Sequence, residues 1–235
     1  MSLIDQDKNR VSVTQDNQLI EASYTLTLNE KRLLLLGISK LDPRHFPPAG
    51  AEFELTVAEW KQHFPQDGTP WRALQRAAKQ MIKRHVTFHP KTGITEDVNW
   101  FDSVRYVEAE GRISVRFTYS ITTRLQGMME AFTRLSLLDV SKLNSFHSIR
   151  LYELASQFRS TGYRKITVAD FRGGMDCAET YPRMGDFKTR VLRPALKEIN
   201  EKSDFKIECR DIKRGRKITA FEFIISEKEQ GDLFK

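Results

Sequence analysis

Arg190, Arg193 and Lys197 stand at i, i+3 and i+7, a spacing that sets three cations on one side of an α-helix. Phe187, Val191, Ala195 and Ile199 fall on the opposite side. The segment from 186 to 200 therefore reads as a helix with one apolar and one cationic face, and Pro194 inside it predicts a local kink. Such a face can recognise anions and base edges, because a guanidinium is a planar fork of donors that fits a phosphate or a guanine. Thr189 and Asn200 border it. Further along, Lys213, Arg214, Arg216 and Lys217 cluster around Gly215, between strand-like runs at 206–209 and 218–225. Cations at the tip of a hairpin suit phosphate neutralisation. An earlier stripe repeats the helical pattern: Arg72, Arg76, Lys79 and Lys83 lie at i, i+4, i+7 and i+11, with Leu74, Ala78 and Met81 opposite.

The charge balance agrees with these stripes. The 235-residue chain carries a formal net charge of +7. Between Arg183 and Ile218 twelve Lys and Arg face six acids, so this one stretch holds nearly the whole surplus. From Pro70 to His89 there are five basic residues and no acid. An acidic partner follows, most simply nucleic acid. The enzyme classes fit less well. His85 and His89 have helical metal spacing but fall on a strand edge before Pro90, with no third ligand near, and the Gly-x-x-x-x-Gly-Lys loop of nucleotide hydrolases is missing. No cofactor, metal or catalytic residue is expected. Two cysteines, Cys177 and Cys209, suit a reducing compartment. The polar, acidic start resembles no signal peptide, and the apolar run Leu33 to Ile38 is far below the ~20 residues of a membrane span. The expected location is the cytoplasm.

These residues need elements to hold them, and the chain supplies the elements twice. Glu54-Leu55-Thr56-Val57-Ala58-Glu59-Trp60 returns as Lys165-Ile166-Thr167-Val168-Ala169-Asp170-Phe171. Each copy carries a Thr followed three residues later by an acid, the signature of a helix start. Each is followed by a cationic helix and then by a strand pair with Gly-Arg in its turn, Gly111-Arg112 and Gly215-Arg216. Each is preceded by a largely apolar helix, 31–41 and 145–158. Leu19-Ile20 and Tyr24 to Leu26 read as short strands, and residues 120–140 as the connection. Helix, helix, helix and basic hairpin, repeated, is an α+β plan of two tandem winged-helix domains, in which the third helix suits the major groove and the hairpin the backbone. Arg150, in the second apolar helix, is expected to pair with an acid such as Glu153.

Several stretches also resemble the iteron-binding plasmid replication initiators. They are Asn17 to Ala22, then Leu26-Thr27, Glu30 and Arg32-Leu33; Leu143 to Leu154; Phe187-Lys188, Val191-Leu192 and Glu198 to Asn200; and Gly215 to Ile218 with Phe221. The likeness spans roughly residues 15–226. It implies a tail at 1–14, a first winged-helix domain at 15–125 for dimerisation and auxiliary DNA contact, a second at 126–226 for the main origin contact, and a tail at 227–235. It implies a non-enzymatic initiator in the bacterial cytoplasm, associated with a plasmid. Such a protein binds tandem direct repeats in double-stranded origin DNA and promotes origin opening. It recruits the host replication initiator and replicative helicase, and as a homodimer joined through the N-terminal domain it represses its own gene. His147-x-x-Arg150 with Tyr181 superficially matches a tyrosine recombinase, but the first two residues belong to the initiator signature. Gln230, Leu233 and Phe234 resemble a motif that docks into the bacterial sliding clamp. The same basic helices would also serve a winged-helix transcriptional repressor without a replication role. Tandem direct repeats beside the gene favour initiation, and a lone inverted repeat favours repression.

Overall fold

The computed structural model describes residues 12–41, 52–65, 68–88, 93–126 and 132–228. In chain order the elements are β1 (Ser12–Asp16), α1 (Asn17–Glu21), α2 (Leu28–Ser39), β2 (Glu52–Thr56), α3 (Val57–His63), α4 (Pro70–Met81), β3 (His85–Phe88), β4 (Glu96–Asn99), β5 (Phe101–Val107), β6 (Arg112–Phe117), α5 (Tyr119–Gln126), β7 (Phe132–Ser136) and α6 (Leu137–Lys142). The second half continues with α7 (Phe146–Ser156), β8 (Tyr163–Thr167), α8 (Val168–Gly174), α9 (Met184–Phe187), a π turn (Lys188–Leu192), α10 (Arg193–Lys202), β9 (Phe205–Arg214) and β10 (Lys217–Glu227).

Contacts divide the chain into two compact units, neither of them continuous in sequence. The first comprises Met1–Asp16, Leu26–His85 and Asp97–Ser141; the second comprises Asn17–Thr25, Val86–Glu96 and Lys142–Lys235. Each is a winged helix built to one plan. The first packs α2, α3 and α4 with an antiparallel sheet of order β2-β6-β5, and the second packs α7, α8 and α9–α10 with the order β8-β10-β9. The repeated heptapeptide is the strand-to-helix corner of each. Thr56 caps α3 and shares a capping box with Glu59. Thr167 caps α8 and hydrogen-bonds the Asp170 amide at 3.1 Å.

The structure departs from the sequence reading in the following elements. Leu19-Ile20 belongs to helix α1 and not to a strand, because a short apolar run does not distinguish the two, and Tyr24 to Leu26 form no strand, the pairing there being a single bridge from Ser23 to Thr87. Residues 132–141, expected in the second domain, belong to the first unit, where β7 pairs with β1 from Ser12↔Ser136 to Asp16↔Phe132.

In the first unit, α2 is buried along Glu30–Ile38 and the sheet contributes Phe53, Phe101 and Phe117, whose ring centroids lie 5.1–6.1 Å apart. A Cβ on Gly37 would come within 2.4 Å of the Phe53 ring, so α2 reaches the sheet here because residue 37 has no side chain. Glu30, only 2% exposed, accepts from the Thr27 amide at 2.8 Å and from the Arg84 Nε and Nη2 at 3.1 and 3.2 Å. One carboxylate thus starts α2 and holds the chain just beyond α4.

In the second unit Phe171 sits among Phe187, Phe221 and Phe223, with centroids 6.0, 5.4 and 5.1 Å away. This cluster fixes α8, α9 and β10 together. The central helix α7 is buried from Ser148 to Ser156, including Arg150 and Glu153. Arg150 pairs with Glu153 at 2.9 Å, as its apolar neighbours led us to expect.

Candidate nucleic-acid interface

The cationic residues of the second unit lie on two elements braced against each other. Apolar Phe187, Val191, Leu192, Ala195 and Ile199 are all buried, which pins one side of the α9–α10 helix to the core. The opposite side carries Thr189, Arg190, Arg193 and Lys197, all exposed. Among the described residues Arg190 and Arg193 form no ion pair, and Lys197 lies 3.8 Å from Glu201 with three-quarters of its side chain in water. The hairpin β9–β10 turns at Gly215, where φ is +63°. Lys213, Arg214, Arg216 and Lys217 ring that turn, exposed and without an ion pair among the described residues.

Two contacts tie helix to hairpin. Lys188 donates to both carboxylate oxygens of Asp211 on β9, at 2.6 and 2.8 Å. Asn200 donates from Nδ2 to the Ile207 carbonyl at 2.9 Å and accepts from the Ile207 amide at 2.7 Å. Asn200 therefore has both ends of its amide committed to β9. It positions the hairpin and is withdrawn from the set of base-reading residues. Ahead of the helix, Arg172 donates to the carbonyls of Cys177 at 3.0 Å, Tyr181 at 2.8 Å and Thr180, and lies 5.4 Å over the Phe187 ring. One guanidinium thus fixes the loop that delivers α9. The Lys188–Asp211 and Arg172 contacts escaped the sequence reading; each joins residues whose neighbours in sequence carry no hint of the pairing.

Pro194 does not interrupt the helical backbone. The chain stays right-handed helical through Leu192 and Arg193, and the missing amide is accommodated by the π turn at Lys188–Leu192. Arg150 is 1% exposed, with its guanidinium bound inside the core, so it does not reach a phosphate as a recombinase arginine must.

The first unit differs from the second in its hairpin. On α4, Arg72, Arg76, Lys79 and Lys83 are exposed, while Leu74, Ala77, Ala78 and Met81 are buried. Lys83 lies just past the end of α4. None of these four cations has an ion-pair partner among the described residues, so this helix presents a clean cationic stripe. The hairpin β5–β6, expected to be basic, is self-neutralised. Arg112 binds Glu110 at 2.7 Å and also Glu54. Arg105 and Arg116 both hold Glu52, at 3.5 and 3.3 Å. Hydrogen bonds from Ser114 and Arg116 hold the Glu52 carboxyl below its usual range. Glu108 and Glu110 make the tip acidic. The Gly-Arg pair common to both turns thus has opposite meanings, because only the first has acids within reach of its arginine.

This asymmetry predicts distinct salt behaviour. Changing Lys213, Arg214, Arg216 and Lys217 together to Gln should weaken binding to any duplex. It should also lower the slope of log K against log salt by about 0.9 for each phosphate left without its cation, so roughly 3–4 in all. Arg112→Gln should leave that slope unchanged. A salt titration of both variants by fluorescence anisotropy measures the two slopes.

Gln230, Leu233 and Phe234 lie outside the described residues. Among the described residues no helix is long and apolar enough to cross a membrane, and no cluster of His, Cys, Asp or Glu could hold a metal. The Cys209 thiol is pushed up to about 12 by burial beside Asp211, which removes it as a nucleophile at neutral pH.

Residues 12–156 match the family described as Initiator Replication protein, WH1, and residues 167–225 match Initiator Rep protein, WH2. An uncharacterised 27.6 kDa protein of Escherichia coli is 28% identical over 207 residues, covering 83% of this chain and 87% of that one. The crystal structure of Pi initiator protein in complex with iteron DNA aligns with a TM-score of 0.81 at 20% identity, over 94% of this chain and 99% of that one. Domains 2 and 3 of RctB align with a TM-score of 0.51 at 8% identity, over 95% and 94% of the two chains. At these identities both likenesses are of fold.

Proposed function

This chain belongs to the initiator replication protein family, and from that premise we propose that it binds tandem direct repeats in double-stranded plasmid origin DNA and opens the origin for replication. The observation that carries the reading is the face formed by Thr189, Arg190, Arg193 and Lys197, exposed and braced beside a hairpin tip of four unpaired cations. A helix of this kind enters the major groove, and a cationic hairpin next to it grips the adjoining phosphates. The α4 stripe adds an auxiliary contact to the same duplex.

Around this core we place the family's other activities. A dimer formed through the N-terminal domain represses the chain's own gene. The DNA-bound protein recruits the host initiator and the replicative helicase in the bacterial cytoplasm, and Gln230, Leu233 and Phe234 engage the sliding clamp. Footprinting on the DNA flanking the gene tests the reading. A ladder of protected direct repeats, one per bound copy, is the expected outcome, and the same DNA should then retain helicase and clamp from purified components. A single protected inverted repeat would make the protein a repressor instead.

A further inference from the structure

The cationic helix of the second unit is irregular at the point where its exposed residues are densest. The Arg193 amide donates to the Lys188 carbonyl, one residue further back than its α-helical partner, the carbonyl of Thr189. The next residue is Pro194, which has no N–H to give. The Thr189 carbonyl therefore has neither an i+4 nor an i+5 amide to accept from, and the Arg190 carbonyl, without its i+4 donor, is left with at most the i+5 amide of Ala195. Among the described residues no donor from outside the helix takes their place. Thr189, Arg190, Arg193 and Pro194 are all exposed residues, so the turn that carries the two acceptors lies at the surface among the cations. The fold does not require this: the equivalent helix α4 is regular and keeps its single proline, Pro70, at its first turn. π turns of this kind are frequent at functional sites.

We propose that the Thr189 and Arg190 carbonyls are a base-reading site, accepting a hydrogen bond from the exocyclic amino group of a cytosine or adenine in the major groove of the repeat. The inference rests on the function proposed above and assigns a second part of its specificity. Arg190, Arg193 and Lys197 can only donate, which suits guanine O6 and N7. Cytosine N4 and adenine N6 need an acceptor, and Asn200, the amide on this helix that could have supplied one, is spent on Ile207. Pro194 is the positioning residue: it withholds the amide that would otherwise cap the Arg190 carbonyl, and the π turn beside it draws the Arg193 amide away from the Thr189 carbonyl.

The test combines Pro194→Ala with atom-level changes in the DNA. The variant regains an N–H and a regular helix, so its Tm should equal or exceed that of the unaltered protein. No charge changes, so affinity for random duplex should hold. Affinity for the repeat should fall about tenfold, the discrimination that one base-edge interaction supplies. In parallel, purine replaces adenine and pyrimidin-2-one replaces cytosine, one position at a time. The unaltered protein should bind about tenfold more weakly when one particular position of the repeat is changed, and Pro194→Ala should be indifferent to the change there. The inference is overturned if no amino deletion affects the unaltered protein more than the variant, or if the variant binds the repeat undiminished. If the unaltered protein does not prefer the repeat to random duplex at all, it is the proposed function that fails.

Discussion

Arg193→Ala should lower affinity for the tandem-repeat duplex by about 5- to 150-fold, the equivalent of ~1–3 kcal/mol, while affinity for random duplex falls by a few-fold at most. In the free protein the Arg193 side chain has no structural task. Arg193 is exposed and has no ion-pair partner among the described residues, so its removal leaves the melting temperature unchanged and the loss is a loss of binding. A bidentate guanidinium–guanine contact exists only on the cognate sequence, whereas a phosphate contact exists on every sequence. The ratio of the two losses therefore assigns the residue. Arg193→Lys sharpens the test: it keeps the charge and removes the fork, so it should restore the random-duplex affinity and leave most of the cognate loss in place. Competition anisotropy with repeat and scrambled duplexes reads both numbers. Equal losses on the two DNAs would reduce Arg193 to a phosphate contact and move the reading function to Arg190 or to the backbone beside it.

What could be seen in the sequence, and what could not, follows from the range of each signal. The duplicated corner was legible because Thr56 with Glu59 and Thr167 with Asp170 act over three residues. The cationic faces were legible because helical periodicity places Arg72 with Arg76 and Arg190 with Arg193 without any knowledge of the rest of the fold. Interactions between distant segments leave no such trace. Glu54 lies 58 residues from Arg112, and their pairing turns an apparently basic hairpin into a neutral one. Asn200 looks like a polar residue on the edge of a recognition face until β9 is placed against it. The irregular turn before Pro194 was announced by the proline alone, and the spacing of the side chains could not show whether a kink or a widened turn would absorb the missing amide. The same limit explains the exchange of segments between units: nothing local in Asn17–Thr25 says that it is built into the unit that otherwise comprises Val86–Glu96 and Lys142–Lys235.

That exchanged segment is held by a buried group, the Arg150 guanidinium. Arg150→Met should destabilise the second unit by about 3–5 kcal/mol, the cost of breaking a buried ion pair from one side. The guanidinium uses all its N–H groups. Nη1 donates to Glu153 at 2.9 Å and to the Tyr24 hydroxyl at 2.6 Å, Nη2 to the carbonyls of Ile20 at 2.8 Å, Ala22 at 3.2 Å and Gly174 at 2.7 Å, and Nε to Gly174 again at 3.0 Å. It also lies 4.4 Å over the Tyr24 ring. Burial pushes the Tyr24 phenol well above its usual value, so the hydroxyl keeps its proton, accepts from Arg150 and donates to Glu153. Methionine fills much of the volume but leaves a carboxylate and three carbonyls facing it. Against a typical total of about 5–15 kcal/mol for a domain, the loss leaves little of the unit folded on warming. The double variant Arg150→Met with Glu153→Leu separates the two sources. Removing both charges should recover part of the loss, because a buried pair gains little net energy over apolar packing. Recovery should stop short of completion, since each orphaned carbonyl still costs about 1–3 kcal/mol. Gly174 ends α8 and opens the loop that delivers α9, so the residual loss should be accompanied by weaker repeat binding even below the melting temperature. Urea unfolding of the single and double variants measures the cycle. A single-variant loss under about 1 kcal/mol, the value of an exposed pair, would mean that this arginine does not hold the segment in place.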